Sequence, residues 1–375
     1  KDHIIGFNNG VYDLNLGEFR EGMPEDYISY CTNIDYINYR EDPEADDEEL
    51  SDVWKFLEQV LPIEDVRDYV ITLFSSFLSG KNNEEKFHVW TGCGGNGKSK
   101  IIELFEMAFG EYCCKLPITI ITRSRGSGEA ASPALARTKG KRFACLQEPE
   151  QNEEINVGLM KELTGGDKIM ARGLHQDPFE FKPKFKMVLT CNYLPGVSSN
   201  DRGTWRRIRV VEFISTFTEN PSENPEDHEY PIDYDLAEKL KEWPQAFMYI
   251  LTQYYELYKK FGIKEPKAVI RQTSEYENDS DIFKQFFNSR INELDNYDGK
   301  GLSLDDAYVF FLAWLKQSSP TTKCPTRKDL KSNMIKRYGK CDSSKSVWKG
   351  LSCVMAEKEF INDEDDENND LDDNI

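Results

Sequence analysis

The sequence has few histidines and no cysteine pair with C-x-x-C spacing. It contains four histidines and nine cysteines, and no two cysteines have the C-x-x-C spacing that is typical of structural zinc sites. An odd number of cysteines in a long chain favours reduced thiols over a disulfide framework. We therefore expect no structural zinc, and a cytosol-like, reducing compartment.

The sequence also lacks a long apolar run. No uninterrupted stretch approaches the length of a membrane span, and no charged-then-apolar leader opens the chain. Its 39% hydrophobic and 12% aromatic residues are typical of a globular protein. We expect a soluble protein with no membrane partner. Because residue 1 is Lys rather than Met, we also expect a fragment of a longer protein.

Positive charge is scarce overall, since the formal net charge is −20. Much of the negative excess lies in two acidic clusters, within residues 41–49 and 363–373. These indicate an exposed loop and a disordered tail. Residues 168–209 are instead predominantly basic. Local charge therefore leaves room for a nucleic-acid surface that the net charge conceals.

What the sequence does contain is a complete phosphate-loop motif. Residues 92–99 read Gly-Cys-Gly-Gly-Asn-Gly-Lys-Ser and match G-x-x-x-x-G-K-[ST] at every fixed position. Glycines let backbone N–H groups turn inward around a triphosphate, Lys98 offers a charge to its β- and γ-phosphates, and the Ser99 hydroxyl can bind Mg²⁺. The residues expected to bind the nucleotide are Gly92, Gly94, Gly95, Asn96, Gly97, Lys98, Ser99 and Lys100.

The flanking patterns support this interpretation. Residues 87–90 form a short apolar run that predicts a buried strand, and residues 100–109 have apolar side chains at helical spacing. Strand, loop and helix therefore occur in the order that places phosphates at a helix N-terminus.

Two later apolar runs also end in polar residues. Residues 141–148 predict a strand that ends at Glu148, a candidate to bind Mg²⁺ or polarise the attacking water. Glu150 follows closely, so the sequence leaves the roles of these two acids open. Residues 184–192 predict a strand that ends at Asn192, an uncharged side chain suited to hold water beside the γ-phosphate. A simple strand-to-turn Asn is the alternative.

A pair of arginines precedes a further predicted strand. Arg206 and Arg207 lead into residues 208–213. They suit an arginine finger that acts on the γ-phosphoryl group of a neighbouring subunit. A solvated sheet edge is the other interpretation.

Residues 168–182 predict two strands around a turn. Arg172, His175 and Lys182 could grip a nucleic-acid backbone from such a hairpin, as basic residues do in single-strand-binding grooves. An ordinary surface hairpin is the alternative.

The remaining patterns predict the organisation of the chain. An Asn-Gly turn within residues 4–14 predicts a hairpin, and residues 51–78 predict two helices broken at Pro62. The fold class is α/β, with an AAA+-like P-loop NTPase core built on a mainly parallel sheet. Residues 216–231 predict an exposed loop. The predicted divisions are an N-terminal segment (1–50), a helical collar (51–85), the ATPase core (86–215), a loop and helical subdomain (216–280), a winged-helix-like domain with a wing at 346–351 (281–356) and an acidic disordered tail (357–375).

The ordered motifs together resemble a known family. Residues 92–99, 143–150, 189–192 and 205–213 follow one another as in the superfamily 3 helicases of DNA viruses and phages. The chain most resembles the helicase portion of D5-like poxvirus and phage P4-like primase–helicases. Residues 8–14 with 24–27 resemble the segment that precedes the ATPase in that group, and residues 163–183 resemble the segment between its second and third motifs.

The resemblance implies a role for each matching residue. Lys98 and Ser99 would bind ATP and Mg²⁺, Glu148 would be the catalytic acid and a second Mg²⁺ ligand, and Asn192 would be the sensor. Arg207 would be the finger, with Arg206 as the fallback. Gln147 departs from the second acid that the wider superfamily often has.

The implied function is an ATP-dependent replicative DNA helicase. It would translocate along single-stranded DNA in the 3′ to 5′ direction as a homo-oligomeric ring, typically a hexamer, with ATP hydrolysed between subunits. Forked DNA, an upstream primase domain and other replication proteins are the implied partners, and the host cytoplasm or a viral replication site is the implied location. The alternatives are a P-loop ATPase that remodels or packages DNA without unwinding it, and a DNA-binding oligomeric scaffold.

Overall fold

The computed structural model describes residues 1–42, 45, 47–122, 132–147, 149, 153–197, 199, 201–294, 301–318, 324–342 and 346–354. The chain divides into two compact units, Lys1–Ser280 and Asp281–Ile375. The acidic tail expected at residues 357–375 lies outside the described residues. No helix in the described part of the chain is long and apolar enough to cross a membrane.

The first unit contains both strands and helices. Its strands are β1 (Ile4–Phe7), β2 (Gly10–Asp13), β3 (Glu18–Arg20), β4 (Phe87–Thr91), β5 (Cys113–Leu116), β6 (Phe143–Gln147), β7 (Ile169–Ala171), β8 (Phe179–Phe181), β9 (Lys186–Cys191), β10 (Ile208–Glu212), β11 (Thr216–Thr218) and β12 (Glu229–Pro231). Its helices are α1 (Asp47–Val60), α2 (Glu64–Ser76), α3 (Lys98–Phe109), α4 (Thr119–Thr122), α5 (Pro133–Ala136), α6 (Val157–Thr164), α7 (Arg202–Trp205), α8 (Leu236–Glu242), α9 (Pro244–Phe261) and α10 (Lys267–Ser280). Single turns of 3₁₀-helix lie at Pro24–Asp26, Gly110–Tyr112 and Pro225–Asp227.

A five-stranded sheet forms the centre of this unit. Its order is β10-β4-β9-β6-β5, and every neighbouring pair is parallel. All six residues of β9 are buried, as expected for a parallel strand that is covered on both faces. The predicted α/β core with a parallel sheet is confirmed.

The two faces of the sheet belong to different apolar clusters. One face packs against α1, α2, α3, α8 and α9, and Trp90 and Phe143 point into that cluster. The other face contributes Phe87 and Leu189 to a second cluster, which includes residues of α6 and of β7. Successive strand residues therefore serve opposite faces, since side chains alternate along a strand. The predicted break between α1 and α2 falls at Pro62, as the sequence indicated.

Three small sheets surround this core. The antiparallel sheet β1-β2-β3 begins with the predicted hairpin, although its two-residue turn is Asn8-Asn9 and Gly10 already belongs to β2. β7 and β8 form the second predicted hairpin. β11 and β12 pair in parallel. The exposed loop expected over residues 216–231 is therefore wrong at both ends, because half-buried aromatic side chains hold those ends together there.

The second unit has its own apolar core. Its elements are α11 (Ile282–Arg290), β13 (Ile291–Glu293), β14 (Gly301–Ser303), α12 (Leu304–Ser318), α13 (Arg327–Tyr338), β15 (Val347–Lys349) and β16 (Leu351–Cys353). Thr326 and Asp329 form a capping box at the start of α13. The wing expected at residues 346–351 is not a simple hairpin, because β15 pairs with β14 and β16 pairs with β13.

Candidate functional site

The phosphate loop connects the carboxyl end of β4 to the start of α3. Gly97, directly before the helix, has a φ of +79°, in the left-handed region that favours glycine. A side-chain carbon at Gly97 would lie 2.6 Å from Val60 Cγ2. A glycine is thus needed here for backbone conformation and for space, and the loop can turn tightly into the helix.

The loop is braced from inside by Asn96. This side chain is 4% exposed. Its Nδ2 donates to the Phe213 carbonyl at 3.4 Å, and its Oδ1 accepts from the Lys98 backbone N–H at 3.3 Å. The Asn96 side chain therefore ties the loop to the chain that follows β10. Any contact of Asn96 with a phosphate would be left to its backbone.

Lys98 and Asn192 are brought together at the same edge of the sheet. The Lys98 side chain is buried at 6% exposure, and its Nζ donates to the Gly92 carbonyl at 2.9 Å and to Asn192 Oδ1 at 3.4 Å. The two residues meet because β4 and β9 are adjacent parallel strands. The Asn192 residue itself is exposed. An ammonium group and an amide thus face one accessible point.

The first turn of α3 suits an anion. It contains no acidic residue, so the positive end of the helix dipole is not opposed by a local carboxylate. Ser99 is exposed on this turn, and its hydroxyl can reach a bound cation or phosphate. The side chain of Lys100 is instead paired with Glu103 at 2.9 Å. The residues present fit a triphosphate with Mg²⁺.

The strand that leads to Glu148 is not the immediate neighbour of the phosphate-loop strand. β9 lies between β4 and β6, so the strand that leads to Glu148 is one strand removed from the loop strand at the same edge of the sheet. The last residue of β6, Gln147, is exposed and pairs with Thr190 of β9. Glu148 and Glu150 lie outside the described residues. Their predicted roles stay predictions.

Arg206 and Arg207 lie at the opposite end of the sheet. The Arg207 carbonyl accepts from the backbone N–H of Phe87, the first residue of β4. Both guanidinium groups pair with Glu85, at 3.1 Å from Arg206 and 3.0 Å from Arg207. The Arg207 side chain is 12% exposed and that of Arg206 is 61% exposed. Glu85 was missed from the sequence because a single acid in a polar loop has no pattern.

The predicted DNA-contacting residues lie on or beside the β7–β8 hairpin. His175 is exposed near its tip, with a φ of +56°. Arg172 is half-buried, and its Nε donates to the Gln176 carbonyl at 2.9 Å. Lys182 is exposed just after β8. Leu174, beside His175, is 65% exposed and was missed because an isolated Leu normally indicates core.

Part of the basic stretch at residues 168–209 serves the fold. Lys184 pairs with Asp2, and Arg209 pairs with Glu265 at 2.6 Å. Lys186 is buried, and its Nζ donates to the Ser76 carbonyl at 2.8 Å. Burial lowers the pKa of Lys186 to about 8. The positive charge of these residues therefore serves the fold rather than a nucleic-acid surface.

Within the described ranges, no three His, Cys, Asp or Glu side chains are grouped so that they could hold a metal ion. Among the residues that the structure describes, Ser99 is a candidate ligand for Mg²⁺ through its hydroxyl group. Such an ion would neutralise charge between the β- and γ-phosphates.

Two protein-family models match the chain. The model described as "D5 N terminal like" matches residues 1–62. The model described as "Family of unknown function (DUF5906)" matches residues 90–207. The second match spans the phosphate loop, Asn192 and both arginines.

Curated proteins of large DNA viruses match almost the whole chain. "Putative helicase L207/L206" of Acanthamoeba polyphaga mimivirus is 40% identical over 366 residues, which cover 96% of this chain and 37% of that protein. "Putative helicase 184R" of Invertebrate iridescent virus 6 is 29% identical, with 97% and 40% covered. "Putative primase C962R" of African swine fever virus (strain Badajoz 1971 Vero-adapted) is 28% identical, with 78% and 31% covered. The chain is homologous to these viral proteins.

The predicted resemblance to D5-like proteins is thereby confirmed. The chain spans about two fifths or less of the length of these curated relatives. Among solved structures, the apo A form of the NrS-1 C-terminal region matches with a TM-score of 0.47 and 12% identity, over 90% of this chain and 70% of that one.

Proposed function

We propose that this chain is the ATP-hydrolysing motor portion of a replicative DNA helicase. The observation that supports this most is the contact between Lys98 Nζ and Asn192 Oδ1 at the carboxyl edge of the sheet. A cation for the phosphates and an amide for the attacking water converge there beside the exposed Ser99. The names of the viral relatives, which span helicases and primases, support the same class of activity.

In the proposed mechanism, the loop amides and Lys98 hold the β- and γ-phosphates. Ser99 and Glu148 would hold Mg²⁺, which would supply positive charge to offset the charge that develops as the terminal phosphoryl group is transferred to water. Asn192 orients that water through a hydrogen bond that becomes stronger as charge develops. Lys98 leaves the Gly92 carbonyl for a phosphate oxygen when the nucleotide binds.

Hydrolysis in this proposal needs a second subunit. Arg206 and Arg207 precede the five-residue strand β10, which separates them from the phosphate-loop edge of the sheet by about 16 Å. An arginine at that distance cannot reach the γ-phosphate of its own chain. The geometry therefore favours a finger that acts on the neighbouring protomer of a ring. Arg206 suits this role better than the Arg207 of the sequence prediction, because its side chain is far more exposed.

The exposed hairpin tip supports a role for each protomer in gripping single-stranded DNA. His175 and Lys182 present polar or cationic groups to solvent, whereas the Arg172 guanidinium also braces the hairpin. A backbone-gripping contact of this kind tolerates any base sequence, as a translocating motor requires. In this proposal the hairpin changes position with the nucleotide state, and the protein thereby translocates along single-stranded DNA in the 3′ to 5′ direction.

The test measures ATP hydrolysis and unwinding of a forked DNA duplex. Lys98→Ala and Arg206→Ala should each lower DNA-stimulated turnover by at least about 100-fold. Mixing the two variants should restore part of it, since a Lys98→Ala protomer supplies the arginine to a protomer with an intact loop. Arg202→Ala, a change of an exposed arginine in the same segment, is the matched control.

The alternatives give different results. Arg207→Ala in place of Arg206→Ala in the same mixture identifies which arginine acts between subunits. Full turnover in Arg206→Ala, in Arg207→Ala and in the variant that carries both substitutions would contradict an active site shared between subunits. Hydrolysis without strand separation would favour a remodelling ATPase, whereas oligomers that bind DNA with negligible turnover would favour a scaffold.

A further inference from the structure

A short strand lies against the outer side of the phosphate loop. In β11, the Phe217 backbone N–H donates to the Gly95 carbonyl at 2.8 Å. The Phe217 ring lies 3.3 Å, at Cε2, from where a side-chain carbon of Gly97 would be. An aromatic ring is therefore held directly beside the turn that leads into α3.

A second aromatic ring extends this surface. Phe217 pairs in register with Tyr230 of β12. Their ring centroids are 5.8 Å apart with an interplanar angle of 36°. Both residues are half-buried, so each keeps part of its surface accessible. Backbone pairing thus fixes two rings in one place next to the proposed phosphate site.

The phosphate loop itself offers nothing to a nucleobase. Its backbone amides, Lys98 and Ser99 suit phosphates and Mg²⁺, so the sugar and base of a bound nucleotide must extend past the loop. An aromatic side chain binds a base through its π-face, whichever groups the base carries at its edge.

We propose that Phe217 and Tyr230 form the platform on which the base of the bound nucleoside triphosphate packs. This inference rests on the proposed function, because it needs the phosphates to occupy residues 92–99. The platform gives the site affinity for a nucleoside triphosphate over an inorganic polyphosphate of the same charge. It also couples the bound base to the segment that connects β10 to α8.

Phe217 has one other conceivable task, which is to support the loop. Its ring and the side chain of Val60 both pack beside Gly97. A supporting role would act on the shape of the loop, and loss of the ring would then weaken every ligand that the loop binds. A platform for the base would affect only ligands that have a base. The two roles are therefore separable by choice of ligand.

The experiment compares binding of ATP and of inorganic tripolyphosphate, both with Mg²⁺, to the full chain by calorimetry. Phe217→Ala should weaken ATP binding by about 5- to 100-fold, the range for loss of one base-stacking contact, and should leave tripolyphosphate binding unchanged within about twofold. Tyr230→Ala should act in the same direction, and Phe217→Trp should restore ATP binding. Tyr234→Ala, an exposed aromatic of the same segment, should change neither affinity.

Each other outcome overturns a specific statement. An equal loss of affinity for ATP and for tripolyphosphate in Phe217→Ala would mean that the ring only supports the loop. Unchanged ATP binding in Phe217→Ala and Tyr230→Ala, or an unmodified protein that binds ATP no better than tripolyphosphate, would also refute the platform. A protein that binds neither ligand, as expected only of Lys98→Ala, would refute the proposed function itself.

Discussion

The two ends of the central sheet use polar residues in opposite ways. At the carboxyl edge, Asn192 and Gln147 are exposed, and Asn192 contacts Lys98 of the phosphate loop. At the amino edge, His88, Arg142 and Lys186 are each no more than 4% exposed. Gln147 and Arg142 belong to or adjoin β6, Asn192 and Lys186 belong to or adjoin β9, and His88 belongs to β4.

The difference lies in what each polar group contacts. Arg142 donates to the Ile4 carbonyl at 2.6 Å and also to the Leu78 carbonyl, and Lys186 donates to the Ser76 carbonyl. These cations satisfy backbone oxygens that packing has removed from water. The carboxyl edge instead leaves its polar groups accessible to a ligand. A polar side chain at a strand end of this sheet is therefore available to a ligand only where the fold leaves it exposed.

Asn192 should show the largest effect on activity with the least effect on the fold. Asn192→Ala should lower ATP turnover by about 100-fold, because one oriented polar group at the reacting phosphate is lost. The free energy of unfolding should stay within about 0.5 kcal/mol, as is usual for an exposed residue. Steady-state hydrolysis and chemical denaturation measure the two quantities.

Tyr193→Ala is the control for this change. Tyr193 follows Asn192 in the chain and is 76% exposed, so its loss should leave turnover within about twofold. Turnover of Asn192→Ala at the level of this control would place Asn192 outside the reaction, and the proposed site would then retain only its phosphate-binding part.

Substitution of Arg142 should instead lower stability and leave activity unchanged. Arg142→Met keeps much of the side-chain volume but leaves the Ile4 and Leu78 carbonyls without their donor. We expect the free energy of unfolding to fall by about 2–3 kcal/mol, the cost of losing charged hydrogen bonds to buried acceptors. Turnover per folded molecule should stay unchanged. Urea denaturation and hydrolysis at a temperature where the variant is folded measure both.

The neighbouring Lys139 provides a matched comparison for this substitution. It is exposed, with Nζ 5.0 Å from the centroid of the Phe179 ring. Lys139→Met should change the free energy of unfolding by less than about 1 kcal/mol. If Arg142→Met were as stable as Lys139→Met, water would have replaced the lost donor. The amino edge would then not be the buried edge of the sheet that the comparison requires.

The sequence was a good guide to the carboxyl edge and a poor one to the amino edge. A glycine-rich loop between an apolar run and a helix is a local pattern, so residues 92–99 and α3 could be predicted without knowledge of the fold. The burial of Lys186 depends on Ser76, which is 110 residues away. Such a contact leaves no periodicity or spacing in the sequence. The same reason hid the pairing of Glu85 with both arginines, and that of Phe217 with Tyr230.

His88 should show the smallest effect and a distinct dependence on pH. Burial, with nearby Arg209, lowers its pKa to about 3 from the usual 6.5. His88 therefore becomes protonated below about pH 6.5 in the unfolded chain, but only near pH 3 in the folded chain. Stability is fully present above pH 6.5 and falls as the pH drops through this window. From pH 6.5 to 5.5 the loss assigned to His88 is about 1 kcal/mol.

Comparison with His88→Gln isolates this contribution, because glutamine keeps a hydrogen-bonding group but does not titrate. The change in unfolding free energy between pH 6.5 and 5.5 should be smaller in His88→Gln than in the unmodified protein by about 1 kcal/mol. Tyr69, whose hydroxyl lies 3.4 Å from His88 Nδ1, is the nearby partner that a glutamine should retain. Equal pH dependence in the two proteins would mean that His88 takes up a proton in the folded state, so that water or an anion reaches the amino edge. That edge would then be as accessible as the carboxyl edge, and burial would no longer explain why only one of them forms a site.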